Sequence, residues 1–166
     1  MRDEVDDLVP GWQAGGLSAA LIANLELSKR ISRLNALLEQ AVRAEIAHFG
    51  LTYAEFDVLA ALLRAGEPYR LKPSELSRSL FLTSGGTSNV LQRLTAAGRI
   101  ERVDNPGDGR SRWVQLTPDG LTVARAAMAG SGRVHEQLMA GVPEDAIRRG
   151  ADALRDINAI IGRRPR

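Results

Sequence analysis

Ser84, Gly85, Ser88, Asn89, Gln92 and Arg93 recur at steps of one and three through the stretch SGGTSNVLQRL. At about 100° per helical residue they share one side with Ala96, while Val90, Leu91 and Leu94 gather opposite, with Thr87 among them. Hydroxyl, amide and guanidinium groups in such a row have the donors and acceptors needed to pair with base edges in a DNA groove, and the small residues let the backbone approach closely. Arg93 is the best placed to meet a guanine. Any amphipathic surface helix also shows a polar outer side, so this stripe alone fits an ordinary solvated face equally well.

A second basic group follows at Arg110 and Arg112. Residues alternate from Arg99 to Val103 and again from Arg112 to Leu116, and Asn105-Pro106-Gly107-Asp108-Gly109 between them is dense in turn formers. That pattern predicts a hairpin. Arginines at its tip have no apolar anchor and are placed to reach phosphates or a minor groove.

The elements ahead of this hairpin have to position both groups. A proline in a first helical turn, with Glu75 two places on, opens a short helix at Lys72 or Pro73. Phe81 and Leu82 form a tight apolar turn, Thr83 or Ser84 caps a second helix, and Gly98 closes it in a left-handed conformation. Two short helices joined by about three residues make a helix-turn-helix. With the hairpin attached, the expected fold is mainly α with a small β-wing.

Elsewhere the chain reads as helices. Leu17 to Phe49 is free of proline, and its apolar residues recur at steps near three and four, giving one long amphipathic helix ended by Gly50. Thr52 and Glu55 form a capping box, with Leu51 and Phe56 as staple, for a helix from Tyr53 to about Ala65. Asp57 lies near its first turn, where the helix dipole favours a carboxylate. Thr117-Pro118 starts another helix running to about Leu138, weakened at Gly130 and Gly132, and Pro143 starts a last amphipathic one. The long first helix and the terminal helices carry more apolar surface than so small a winged helix needs, which predicts a homodimer with interlocked chain ends. The expected organisation is an N-terminal arm and dimerisation helix (1–50), a winged helix-turn-helix (51–117) and C-terminal dimerisation helices (118–166), all in one structural unit.

Composition narrows the function. With 166 residues and 44% hydrophobic content, the chain can bury one sizeable core. It has no cysteine, so disulfides, thiolate metal sites and thiol redox sensing are ruled out. His48 and His135 do not stand at metal-ligand spacing, and no metal or cofactor is expected. The net charge of +2 is uneven: Arg70 to Arg112 holds eight basic and four acidic residues, net +4, while residues 1–69 sum to −4. A basic excess on the stretch that carries the base-pairing groups is the electrostatic footprint of a nucleic-acid binder. The acidic start MRDEVDD is unlike a signal peptide and no apolar run reaches about 20 residues, so a cytoplasmic protein is expected. SGGT lacks the lysine and hydroxyl of a phosphate loop, and no Ser, His and Asp set is recognisable, so no catalytic residues are assigned.

The wing, Asp108-Gly-Arg110-Ser-Arg-Trp-Val114-Gln-Leu116-Thr117, resembles the D-x-R-x-x-x-V-x-L-T signature of the MarR family of transcriptional regulators. The preceding SGG-T-S-N and RL-x-x-x-G-x-I-x-R elements match as well. The resemblance implies a homodimeric winged helix that binds pseudo-palindromic double-stranded DNA, often as a repressor released by a small ligand. The arm with Trp12, PYRLKPSELSRSL and LTYAEFDVLAALLRAG are similar to a urate-responsive subgroup. That similarity points to Trp12, Asp57 and Arg102 as ligand-binding residues with Arg64 nearby, and to a small aromatic or purine-like effector. The chain departs at Val90, where the subgroup carries arginine. Valine gives an anionic purine neither charge nor donor, so the expected effector is a less acidic aromatic compound, with Asp57 and Arg102 paired between pocket and wing. Trp12 is equally a plug against the helical core. A winged-helix interaction module without DNA binding is the rival reading.

Overall fold

The computed structural model describes residues 2–79, 84–104 and 112–162. The expected turn at Phe81 and Leu82, the cap at Thr83, the wing tip at 105–109, Arg110, and the terminal Arg163, Arg164 and Arg166 lie outside them, as does the side chain of Ser84. The chain runs α1 (Val9–Ala14), α2 (Ala19–Ala47), α3 (Tyr53–Arg64), β1 (Arg70–Leu71), α4 (Pro73–Ser79), α5 (Ser84–Ala96), β2 (Ile100–Asp104), β3 (Arg112–Leu116), α6 (Pro118–Leu138) and α7 (Glu144–Ile161). No helix among the described residues is long and apolar enough to cross a membrane.

Local chemistry sets most of these ends. Ser18 caps α2 through Leu21 N–H, and Gly50 leaves the helix at φ +68°. The box at α3 is complete, with Thr52 N–H donating to Glu55 Oε2 at 2.8 Å and Glu55 N–H returning to the threonine hydroxyl. Lys72 N–H donates to Glu75 Oε2 at 2.7 Å and so starts α4. Gly98 stands at φ +69° after α5, and Arg99 N–H then donates to Leu94 O at 2.9 Å, satisfying a carbonyl that the helix end would leave free.

Two layers of packing follow. The first is the winged unit, where α3, α4, α5 and the sheet enclose Leu59, Leu62, Leu76, Leu91, Leu94, Ile100, Val114 and Leu116. The second sets α2 and α6 against each other and against α3, adding Val42, Ile46, Ala124 and Ala127 to the same core. The sheet order is β1-β3-β2, antiparallel throughout, with Ile100 opposite Leu116 and Arg102 opposite Val114. The strand β1 is absent from the sequence reading, because two residues carry no periodicity. Acidic residues of the arm are clamped to α2: Arg30 pairs with Asp3, Asp6 and Glu26 at 2.8–3.0 Å, and Arg33 pairs with Glu4 at 2.7 Å.

Helix α6 reaches Leu138, as expected. The helix is continuous, and a Cβ at Gly130 would lie 2.3 Å from Glu45 Oε1, so this glycine admits the α2 carboxylate that reaches Arg133 at 3.3 Å. Gly120 is tighter still: a Cβ there would stand 1.8 Å from the Arg99 carbonyl oxygen. That carbonyl also accepts from Thr117 N–H at 3.1 Å, while the Thr117 hydroxyl donates to Gly98 O at 2.7 Å and accepts from Gly120 N–H at 3.0 Å. One threonine thus ties the end of α5, the start of β2 and the start of α6 together. Gly120→Ala must push backbone from backbone, and urea unfolding is expected to show a loss of about 3 kcal/mol, at the upper end of overpacking costs.

Candidate nucleic-acid interface

Helix α5 turns its apolar side inward. Thr87, Leu91 and Leu94 are 2%, 2% and 1% exposed, and the Ser77 hydroxyl of α4 donates to Thr87 Oγ1 at 3.0 Å. Burial of that stripe and the 3.6-residue period force the other side outward. Gly85, Ser88, Asn89, Gln92, Arg93 and Ala96 are all exposed, and a Cβ at Gly85 would meet nothing within 4 Å. Arg93 is tethered from one side, its Nε 3.1 Å from Glu55 Oε1 of α3.

The sheet adds cations. Arg112 opens β3, exposed, with its Nε 3.0 Å from Asp104 on the neighbouring strand. One sheet face closes on the core through Ile100, Val114 and Leu116; the other carries Trp113, with Arg70 and Lys72 stacked 5.1 and 5.4 Å from its ring. Stacking on an aromatic face holds two cations side by side at the base of the wing. The sequence reading missed both Arg70 and Lys72 as a pair; the only signal was their spacing around the β1 residue Leu71 and the tryptophan one place after Arg112.

The residues singled out for ligand binding are spread over four elements. Trp12 is half-buried on α1, which packs on α2; Val90 is half-buried against the core on the flank of α5; Arg64 is exposed at the end of α3; and Arg102 is exposed on β2. Asp57 is half-buried on α3. Burial pushes its carboxyl up from the ordinary aspartate value, Arg64 pulls it down, and Glu39 of α2 pushes it up. The expected Asp57–Arg102 pair is corrected: among the described residues the cation that acts on Asp57 is Arg64, one helical face along α3, while Arg102 stands opposite Val114 in the sheet. Tyr53, beside Asp57, is raised by its own burial and by that carboxylate, and Arg43 of α2 lies 5.1 Å over its ring.

A model of the MarR family matches residues 49–111. The transcriptional regulator PecS of Dickeya dadantii is 32% identical over 120 residues, covering 72% of this chain and 72% of the relative. The multiple antibiotic resistance protein MarR of Salmonella typhimurium is 28% identical over 124 residues, covering 74% of this chain and 84% of the relative. Among solved structures, a mutant MarR from E. coli complexed with operator DNA gives a TM-score of 0.73 at 24% identity, over 84% of this chain and 99% of that one. AbsC, a MarR family transcriptional regulator from Streptomyces coelicolor, gives 0.76 at 19% identity, over 89% and 98%. These two structural likenesses carry the fold alone.

The Asp57 environment yields a pH prediction. Its native pKa is raised, so the folded state binds the proton more tightly than the unfolded chain does, and the ionised carboxylate costs stability above that pKa. The cost disappears as pH falls through the raised native value toward the unfolded one. Asp57→Asn is therefore expected to unfold at higher urea than the parent near pH 7 and to lose that advantage by about pH 3, below the reference aspartate value of about 3.9.

Proposed function

The chain belongs to the MarR family, and on that premise we propose that it is a DNA-binding transcriptional regulator, a repressor that works as a homodimer on pseudo-palindromic double-stranded DNA in the cytoplasm. It is a binder, not an enzyme. The observation that carries the reading is the exposure of Ser88, Asn89, Gln92 and Arg93 on one side of a helix whose opposite side is locked in the core. These four, with Ser84 and Gly85 at the helix start, contact base edges in a major groove. Arg110 and Arg112 of the wing contact phosphates or the adjacent minor groove, and Arg70 and Lys72 extend the positive surface behind them. The E. coli MarR whose structure has the same fold is complexed with operator DNA, and the use proposed here rests on family membership and on the outward face of α5.

Dimerisation is supported by where apolar surface is left in water. Among the described residues every large exposed apolar side chain lies outside the winged unit: Leu8, then Leu21, Leu27, Ile31, Leu34 and Leu37 on α2, Leu138 and Val142, and Ile147, Ile160 and Ile161 on α7. No residue of α7 is buried, although its polar side is laced by Glu144–Arg148 and Asp145–Arg149 pairs. A second copy covering the α2 and α7 faces gives this surface a place. The effector reading stays with Trp12, Asp57, Arg64, Val90 and Arg102, centred on the half-buried Asp57, and calls for a small aromatic ligand.

Selection from random duplex DNA is expected to return a two-fold symmetric site with half-sites about one helical turn apart. Arg93→Ala should weaken the selected site by about 5- to 150-fold, the range for one bidentate base contact. Arg110→Ala should weaken all duplexes alike and flatten the salt dependence by about one charge. Retention of no sequence at any salt would favour an interaction module. Light scattering is expected to give a dimer, shifted toward monomer by Ile147→Glu with Ile160→Glu.

A further inference from the structure

Arg93 is exposed, yet it is not free to wander. Its side chain is 63% exposed, and its Nε meets a Glu55 carboxylate whose side chain is only 9% exposed. That carboxylate is itself immobilised: Oε2 accepts from Thr52 N–H at 2.8 Å and from the Thr52 hydroxyl at 2.7 Å, leaving Oε1 to face the arginine. Glu55 therefore does two things at once. It completes the capping box that starts α3, and it holds a cation on α5, a different helix, from below.

The geometry of the guanidinium makes this consequential. Its five N–H donors lie in one plane in a fixed fork, and a contact at Nε occupies one edge of it. The edge between the two Nη atoms remains for a partner, and it has the spacing that matches O6 and N7 of a guanine. An untethered arginine loses most of its rotamer freedom on docking, whereas one already held gives up less at that moment. The arginine half of the pair is open to water, which screens the contact in part and keeps its share in the stability of the fold modest. Its effect falls on the direction in which the arginine points.

We infer that Glu55 is a positioning residue for DNA reading, which presets Arg93 to offer its Nη edge to a guanine, so that sequence discrimination depends on a buried carboxylate of α3 as well as on the outer face of α5. The inference rests on the regulator reading above.

Glutamine at position 55 separates the two roles, because Gln also serves as the third residue of a capping box but cannot act as an anion toward arginine. The measurement is the ratio of affinities for the selected duplex and a scrambled one at fixed salt, taken beside the melting temperature. Glu55→Gln is expected to reduce that ratio about tenfold, within the span of one bidentate base contact, with melting close to the parent. Thr52→Ala, which removes the cap and keeps the carboxylate, is expected to lower the melting temperature and leave the ratio largely in place. In an Arg93→Lys background, which has no fork to orient, Glu55→Gln is expected to change the ratio no further. A parent that selects a site while Glu55→Gln keeps the full ratio, or a Glu55→Gln effect that persists undiminished on top of Arg93→Lys, overturns this inference alone. A parent that selects no DNA sequence overturns the regulator reading and this inference with it.

Discussion

The inward seating of Leu91 and Leu94 between α3 and α4 is the constraint from which the rest of the interface follows. A helix has one rotational setting once two leucines a turn apart are buried against Leu59, Leu62 and Leu76. That setting decides which residues face outward, and it puts Ser88, Asn89, Gln92 and Arg93 there with no further interaction needed. The cost of turning α5 by a third of a circle is the exposure of both leucines, about 1.5–3 kcal/mol each. Polar side chains at the rim cannot offset that.

A tight joint where α5 ends and the sheet begins keeps the wing in register with this helix. The Thr117 hydroxyl bridges Gly98 O and Gly120 N–H, so the end of α5, the start of β2 and the start of α6 share one hydrogen-bonded knot. Backbone packed directly on backbone at Arg99 and Gly120 leaves no side chain through which the joint could slide. Position of the wing relative to α5 is thus set by main-chain geometry, and the cations of the sheet inherit it. Arg70 and Lys72 are oriented by a tryptophan ring, and Arg112 by a neighbouring aspartate.

Apolar surface is distributed unevenly between the two layers. Among the described residues the winged unit exposes no large apolar side chain, whereas α2 and α7 keep a row of leucines and isoleucines in water, with Ile160 63% exposed. Charge follows the opposite trend, since the acidic arm is neutralised locally by Arg30 and Arg33 while the net positive stretch from Arg70 to Arg112 lies on the winged unit. One region is suited to association through apolar contact and the other to a polyanion.

What the sequence alone determined is what neighbours within about four residues can encode. The cap at Thr52 and Glu55, the start at Pro73 with Glu75, the left-handed Gly98, the start at Thr117 and Pro118, and the outward stripe of α5 depend on local hydrogen bonds and on helical period, and each was legible in the residue types. Contacts between elements were not, because they depend on how helices cross and strands align. The tertiary structure alone decided that two residues at Arg70 make an edge strand, that Gly130 makes room for a carboxylate, that Asp57 answers to Arg64 and not Arg102, and that a capping glutamate also reaches across to Arg93. Apart from Arg64, which shares α3 with Asp57, the partner in each case lies on another element, distant in sequence.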